Sequence, residues 1–314
     1  MSDANCRICL EPVEEGGSYH PSCCGELFGE PYLPSLPYSW TQLNDLAEKT
    51  VRQHVAVPGV QPKLSIHMER GGSRRDARFT LVGMEGDYIL KPPVRRFPEM
   101  PELEHLTMRM AGDFGIKTAA CGLIPLEDEQ LCFITKRMDR DGSAKIHMED
   151  MCQLTDRLTE QKYRGSLEHV GKAILRHCTN PGFDALRLFD LTLFCFLTGN
   201  ADMHLKNFSL LYRPGGEVSL SPAYDLLPTA LLLPEDTEET ALTLDGRKRR
   251  LTRKNLFQFG SSLRLTTKQI ENALERAHDC LPQALDTLQK GHCSPDAQQR
   301  FESLIDERRA RIGI

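Results

Sequence analysis

The stretch Gly199-Asn200-Ala201-Asp202-Met203-His204-Leu205-Lys206-Asn207 constrains this chain more than any other. It follows an apolar run, residues 188–197, that reads as a buried helix, and it precedes a short apolar strand at 208–212. A second acid comes soon after, in Ser221-Pro222-Ala223-Tyr224-Asp225. Asp202, Asn207 and Asp225 therefore offer oxygen donors around one loop and one strand. Such a set suits Mg²⁺, a hard cation that takes few carboxylates and fills its shell with phosphate oxygens. Asp, Asn and Gly are also ordinary turn residues, so the nine residues alone would fit a solvated loop. The Tyr-Asp pair downstream and a lysine-ended strand upstream weigh against that plain reading.

Asp-x-x-x-x-Asn is the spacing of a phosphoryl-transfer catalytic loop. There the Asp accepts the proton of the attacking hydroxyl and the Asn holds one Mg²⁺. Asp225 stands where such enzymes keep their other metal-binding Asp. Upstream, Tyr88-Ile89-Leu90-Lys91-Pro92 reads as a strand ending in the lysine that contacts the α- and β-phosphates. A helix is expected over 101–114, with Leu103, Leu106, Met110 and Ala111 on its buried side. Its Glu102 and Glu104 are the candidates for pairing with Lys91, and Glu104 is preferred. Residues 55–66 form a β-rich run broken by Pro58-Gly59, a turn that can lay backbone N–H groups over phosphates or simply close a hairpin. Strands are expected at 78–82, 119–124 and 131–136, and Lys136 falls where a hinge would meet an adenine.

Further along, residues 146–154 read as the start of a helical region, with His147 and Glu149 explained by capping and packing as well as by catalysis. Helices are expected at 40–53, 167–177 and 184–197, and the chain after 256 is helical, with Pro282 and the Gly291 region separating its helices. The basic run 247–254 reads either as a contact for RNA, an acidic partner or a phosphorylated segment, or as a solvated helix start. At the N-terminus, Cys6-x-x-Cys9 and His20-x-x-Cys23 have spacing that can close a tetrahedral Zn²⁺ site, with Cys24 as a substitute ligand; a loop with free thiols is the alternative. Eleven scattered cysteines, an odd number, fit reduced thiols in the cytoplasm. The net charge of -5 gives no sign of a nucleic-acid-binding surface, and no apolar run approaches a membrane span.

Gly-Asn-Ala-Asp-Met-His-Leu-Lys-Asn-Phe at 199–208, Pro-Ala-Tyr-Asp at 222–225, Val-Gln-Pro-Lys-Leu-Ser at 60–65, Tyr-Ile-Leu-Lys-Pro at 88–92 and His-Met-Glu-Asp-Met-Cys-Gln at 147–153 together resemble the HipA-like serine/threonine kinases. The resemblance runs from about Trp40 to the C-terminus. It implies an α+β, protein-kinase-like two-lobe fold: a Cys/His segment and linker over 1–39, a small N-lobe with a β-sheet over 40–138, and a larger helical C-lobe over 139–314, with ATP and Mg²⁺ between the lobes. It makes Asp202 the catalytic base, Asn207 and Asp225 the Mg²⁺ ligands, and Lys91 the ATP-phosphate lysine. Val57, Pro58, Gly59, Val60, Gln61 and Lys63 become the phosphate-covering loop, with Lys136, His204 and Lys206 completing the nucleotide set. The partners implied are a protein substrate, an aminoacyl-tRNA synthetase above all, and a helix-turn-helix antitoxin through which alone DNA is met. The short N-terminus resembles the HipT branch, which implies a separate small protein in place of a missing N-terminal subdomain. Ala56, Val57 and Pro58 stand where the family usually carries an autophosphorylated serine. An aminoglycoside-phosphotransferase-type small-molecule kinase, or a nucleotide-binding pseudokinase that sequesters a partner, are the competing readings.

Overall fold

The computed structural model describes residues 5–14, 16–53, 62–72, 76–83, 86–142 and 144–314, without the side chains of 47–53. The chain divides into two compact units. The first comprises Met1–Arg109, Ala119–Arg137 and Lys290–Ser294. Its elements are α1 (Pro21–Phe28), α2 (Trp40–Gln53), β1 (Leu64–Arg70), β2 (Ala77–Leu81), β3 (Tyr88–Lys91), α3 (Met100–Asp113, in this unit as far as Arg109), β4 (Cys121–Pro125) and β5 (Leu131–Lys136).

The strands form one antiparallel sheet in the order β2-β1-β3-β5-β4. Leu64, Ile66 and Met68 alternate inward along β1, as a half-buried strand requires. Opposite them, Phe28, Phe79 and Tyr88 pack as a ring cluster, with centroids 5.6 Å (Phe28–Phe79) and 5.5 Å (Phe79–Tyr88) apart and edge-on. The Tyr88 hydroxyl is spent on the Leu27 carbonyl at 3.0 Å, so no polar atom of that ring is buried without a partner. α2 begins where the Asp128 carboxylate accepts from the Trp40 amide at 3.0 Å, an acid at a helix N-terminus.

The second unit comprises Met110–Thr118, Met138–Gln289 and Pro295–Ile314. It opens with a short hairpin, β6 (Arg140–Asp141) and β7 (Ala144–Lys145), followed by β8 (His147–Asp150), α4 (Met151–Leu154), α5 (Leu167–His177) and α6 (Pro181–Leu197). Then come β9 (Ser209–Tyr212), β10 (Val218–Leu220), α7 (Thr229–Leu232), α8 (Arg253–Ser262), α9 (Thr267–Gln289) and α10 (Pro295–Ile312). The three-stranded sheet runs β10-β9-β8. α6 starts on Pro181, whose missing N–H is one that a first helical turn leaves unpaired anyway, and from Leu188 onward it is apolar on nearly every side. A helix of that pattern must be buried all round, and Leu188, Phe189, Phe194 and Leu197 have no exposure.

Two sequence expectations need correction here. Residues 147–150 are a strand paired with β9, and only one helical turn follows them. Pro282 lies inside α9 rather than between helices. The helix continues past it because Ala277, Leu281, Ala284 and Leu288 on its buried side pack before and after the proline, which offsets the lost backbone bond. The Gly291 region does separate α9 from α10, and a further break lies between α8 and α9, where Arg264 turns with φ 62°. The basic run ends in the first turn of α8; Arg253 there donates to the Ile312 carbonyl at 3.1 Å, and Lys248 pairs with Glu238 at 3.1 Å. Among the described residues, no helix is long and apolar enough to cross a membrane.

Phe79 has 1% exposure at the centre of the ring cluster. Phe79→Ala should cost about 3–5 kcal/mol of unfolding free energy, read by urea denaturation.

Candidate active site

In the second unit the site grows from the end of α6. Gly199 turns the chain with φ +68°, and a Cβ there would come 2.5 Å from Leu304 and 3.0 Å from Ala230, so only glycine fits. The loop is then pinned from both sides. Thr229 accepts the Ala201 amide on its Oγ1 at 2.8 Å, and Asn200 accepts the Asp202 amide on its Oδ1 at 3.1 Å. Asn207 donates its side-chain Nδ2 to the Asp202 carbonyl at 3.1 Å. A planar amide fixed by its nitrogen has its oxygen fixed too.

Asp225 arrives from β10 through Pro222-Ala223-Tyr224. Its φ is 60°, a left-handed conformation that Asp tolerates better than most residues. The Tyr224 hydroxyl donates to the Lys206 carbonyl at 2.7 Å and meets Ser209 Oγ at 2.7 Å. A carbonyl can only accept, so Ser209 must be the donor to Tyr224. Burial holds the Tyr224 phenol well above its ordinary range. The carboxylates of Asp202 and Asp225 both act on Tyr163 and on His204, which places the two acids beside the same pair of rings.

Tyr163 is a residue that spacing does not reveal. Its hydroxyl donates to Asp202 Oδ1 at 2.7 Å, and its ring stands edge-on to His204 with centroids 5.2 Å apart. Burial first, and then the Asp202 carboxylate, push its phenol far up. His204 has 6% exposure, and burial pulls its imidazole below the ordinary value against the pull of the two carboxylates. Lys206 pairs with Asp150 at 2.6 Å, and Asp150 also caps α4 by accepting the Gln153 amide at 3.0 Å. Lys206 thus ties the loop to β8. His147 and Glu149 lie on β8 within 3.5 Å of each other, and His147 is exposed.

In the first unit, Lys91 ends β3 buried, with 3% exposure, and its Nζ lies 2.5 Å from Oε1 of Glu104 on α3. The same ammonium is 5.3 Å from the centroid of Phe133. Glu102, the other candidate partner, faces elsewhere: its Oε2 is buried without a hydrogen-bond partner, and burial pushes its carboxyl up to about 7. Lys63, just before β1, and Lys136, at the end of β5, are exposed. Val57, Pro58, Gly59, Val60 and Gln61 lie outside the described residues.

At the N-terminus, Cys6, Cys9, His20 and Cys23 bring four metal-ligating atoms within 4.8 Å of one another. Cys24 does not join them. It is buried in the core with Leu27 and Phe28, and burial pushes its thiol up to about 11. Burial, then the neighbouring Cys9 and Cys6 sulfurs, push Cys23 up to about 12. Burial also presses the Cys6 thiol upward, but backbone N–H groups of Cys9, His20 and Ile8 outweigh it and bring it below its ordinary value.

Residues 55–285 match the family model described as the HipA-like C-terminal domain. A Haemophilus influenzae protein named "Putative kinase" is 29% identical over 255 residues, 76% of this chain and 72% of its own length. The serine/threonine-protein kinase toxin HipA of Shewanella oneidensis is 26% identical over 258 residues, 74% of this chain and 57% of its own length. Among solved structures, the complex of Shewanella oneidensis MR-1 HipA, HipB and operator DNA contains a chain that superposes with a TM-score of 0.71 at 21% identity, over 96% of this chain and 75% of that one. The kinase-like fold is therefore shared.

Glu102 supplies a pH test. Its native pKa lies above the ordinary 4.5, so the folded chain holds the extra proton between about 4.5 and 7 and loses stability as pH rises through that window. Glu102→Gln should melt with wild type at pH 4.5 and a few degrees higher than wild type at pH 8, as read by thermal scans.

Proposed function

Since this chain belongs to the HipA-like C-terminal domain family, we propose that it is an ATP-dependent serine/threonine protein kinase acting as the toxin of a bacterial toxin–antitoxin module. The observation that carries the reading is the fixed Asn207 amide. Its nitrogen is held by the Asp202 carbonyl, so one short loop orients both a carboxylate for the acceptor and an oxygen for a cation. The donors fit Mg²⁺, since Asn207 and Asp225 offer hard oxygens and Asp225 is held in its left-handed turn behind the Tyr224 anchor. When bound, Mg²⁺ neutralises charge that develops on the phosphate oxygens.

The residues divide the remaining work. Asp202 takes the proton of a Ser or Thr hydroxyl while the hydroxyl oxygen bonds to the γ-phosphorus and the bond to the departing ADP breaks. Lys91, held extended by Glu104, is the cation for the nucleotide phosphates. His204, buried, packs its ring edge-on against Tyr163 beside the loop. Lys206 serves the frame through Asp150 more directly than it serves the nucleotide. An aminoacyl-tRNA synthetase is the proposed substrate. A helix-turn-helix antitoxin is the proposed partner, with DNA met only through it. The cytoplasm is the proposed compartment.

The test is phosphoproteomics on a bacterial lysate incubated with the purified chain and Mg·ATP, beside Asp202→Ala. Phosphosites on a tRNA synthetase that appear only with wild type are expected. Labelling of metabolites alone would favour a small-molecule kinase, and no transfer at all would favour a nucleotide-binding pseudokinase.

Tyr163 gives a second prediction. Its hydroxyl occupies Oδ1 of Asp202, so an acceptor hydroxyl that uses this oxygen competes with it. Tyr163→Phe should lower the KM for the protein acceptor several-fold with nucleotide affinity unchanged, measured by steady-state kinetics at varied acceptor and ATP.

A further inference from the structure

We propose that Cys6, Cys9, His20 and Cys23 hold one structural Zn²⁺, and that this knuckle clamps the open edge of β4 and the back of α3. The first support is geometric. Nδ1 of His20 lies 3.3 Å from Cys9 Sγ and 3.7 Å from Cys23 Sγ. A tetrahedral zinc with bonds of about 2.3 Å to sulfur and about 2.0 Å to nitrogen has nitrogen–sulfur edges of roughly 3.5 Å. The two observed separations straddle that edge, and all four ligand atoms fall within 4.8 Å of one another.

The second support is the orientation of the imidazole. Nε2 of His20 lies 2.9 Å from the Pro12 carbonyl, which can only accept. Nε2 must therefore carry the hydrogen, and a neutral ring then has its lone pair on Nδ1, the atom aimed at the sulfurs. Fixing the distal nitrogen on a carbonyl is how zinc-bound histidines are oriented. The third support is the turn that carries the first two sulfurs. Leu10, just after Cys9, sits at φ 67°, and its amide closes the turn on the Cys6 carbonyl at 2.9 Å.

What the knuckle does for the unit follows from its backbone. β4 is an edge strand of the five-stranded sheet. The Leu123 amide on that edge donates to the Arg7 carbonyl at 2.8 Å, and Tyr19 donates its hydroxyl to the Leu123 carbonyl at 2.8 Å. The chain approaches so closely that a Cβ at Gly122 would lie 2.9 Å from Ile8 and 3.3 Å from the Arg7 carbonyl. On α3, His105 has no exposure and donates Nε2–H to the Ile8 carbonyl at 3.0 Å. Arg7 and Ile8 lie between the first two ligands, so the Cys-x-x-Cys turn covers the sheet edge and grips the residue next to Glu104. An uncovered edge strand is a template for intermolecular pairing, which gives this cover its use.

The experiment uses the full chain purified from zinc-containing medium. Elemental analysis should find one zinc per chain, and cobalt exchange should give the thiolate charge-transfer and strong visible bands of a tetrahedral sulfur-rich site. Cys23→Ser and Cys9→Ser, both at partly exposed positions, should lose at least tenfold in zinc affinity by competition with a chromogenic chelator, while Cys24→Ser keeps wild-type zinc. Zinc removal should raise hydrogen exchange at the Leu123 amide and along α3 and leave α6 protected. The proposal is overturned if the wild-type chain carries no stoichiometric zinc or carries iron in its place, or if cobalt shows no thiolate band. Retention of full zinc affinity by both serine variants would also overturn it, and unchanged exchange at Leu123 after zinc removal would overturn the clamp. None of these readouts depends on phosphoryl transfer.

Discussion

The distance between the two halves of the candidate metal site rests on one buried hydroxyl. Tyr224 precedes Asp225 in sequence, yet its ring reaches back to the other arm of the loop, where it donates to the Lys206 carbonyl and receives from Ser209. Lys206 precedes Asn207, and Ser209 follows it by two. The hydroxyl therefore fixes the chain on both sides of one oxygen donor while its own backbone leads into the other. A buried phenol without these partners would incur the desolvation penalty of an unpaired polar group, about 1–3 kcal/mol. The half-buried ring thus keeps both of its hydroxyl bonds only while the two arms of the loop stay together.

The other constraints act in the same way, each by a polar group with one satisfactory place to go. Asn207 spends its nitrogen on the Asp202 carbonyl, Thr229 spends its hydroxyl on the Ala201 amide, and Lys206 spends its charge on Asp150. In the first unit, Lys91 and Glu104 solve a harder problem, since both are almost wholly buried. Removing one partner of such a pair leaves an uncompensated charge and costs about 3–5 kcal/mol. Apolar packing supplies the platform in both units, through α6 in one and the Phe28–Phe79–Tyr88 cluster in the other.

How much of this was readable from sequence depends on range. Asp202 and Asn207 are five residues apart on one loop, so their relation is local and the spacing carries it. The strand ending at Lys91 and the helix carrying Glu104 are also local patterns, and the structure brings those two side chains together. Glu102 and Glu104 look alike in sequence; only the rotation of α3 against β3 separates Glu104, in its buried ion pair, from Glu102, half-buried on the same helix. Tyr163 reaches Asp202 across 39 positions, a contact no periodicity encodes. β8 was misread as a helix start because His147 and Glu149 are polar and the strand lies at a sheet edge, where the burial signal is weak. Pro282 misled for the opposite reason, a strong local signal overridden by packing along a long helix.

The central claim is that Asn207 and Asp225 form a cation site that holds nucleotide for Asp202. Calorimetric titration of ATP into wild type and Asp225→Asn, with Mg²⁺ and after chelation, tests it most directly. Asn accepts the left-handed backbone at position 225, so the variant removes a negative charge and leaves the turn unstrained. Tight binding is expected only for wild type with Mg²⁺, with a loss of at least tenfold on chelation or substitution. Equal ATP affinity in all four titrations would contradict it.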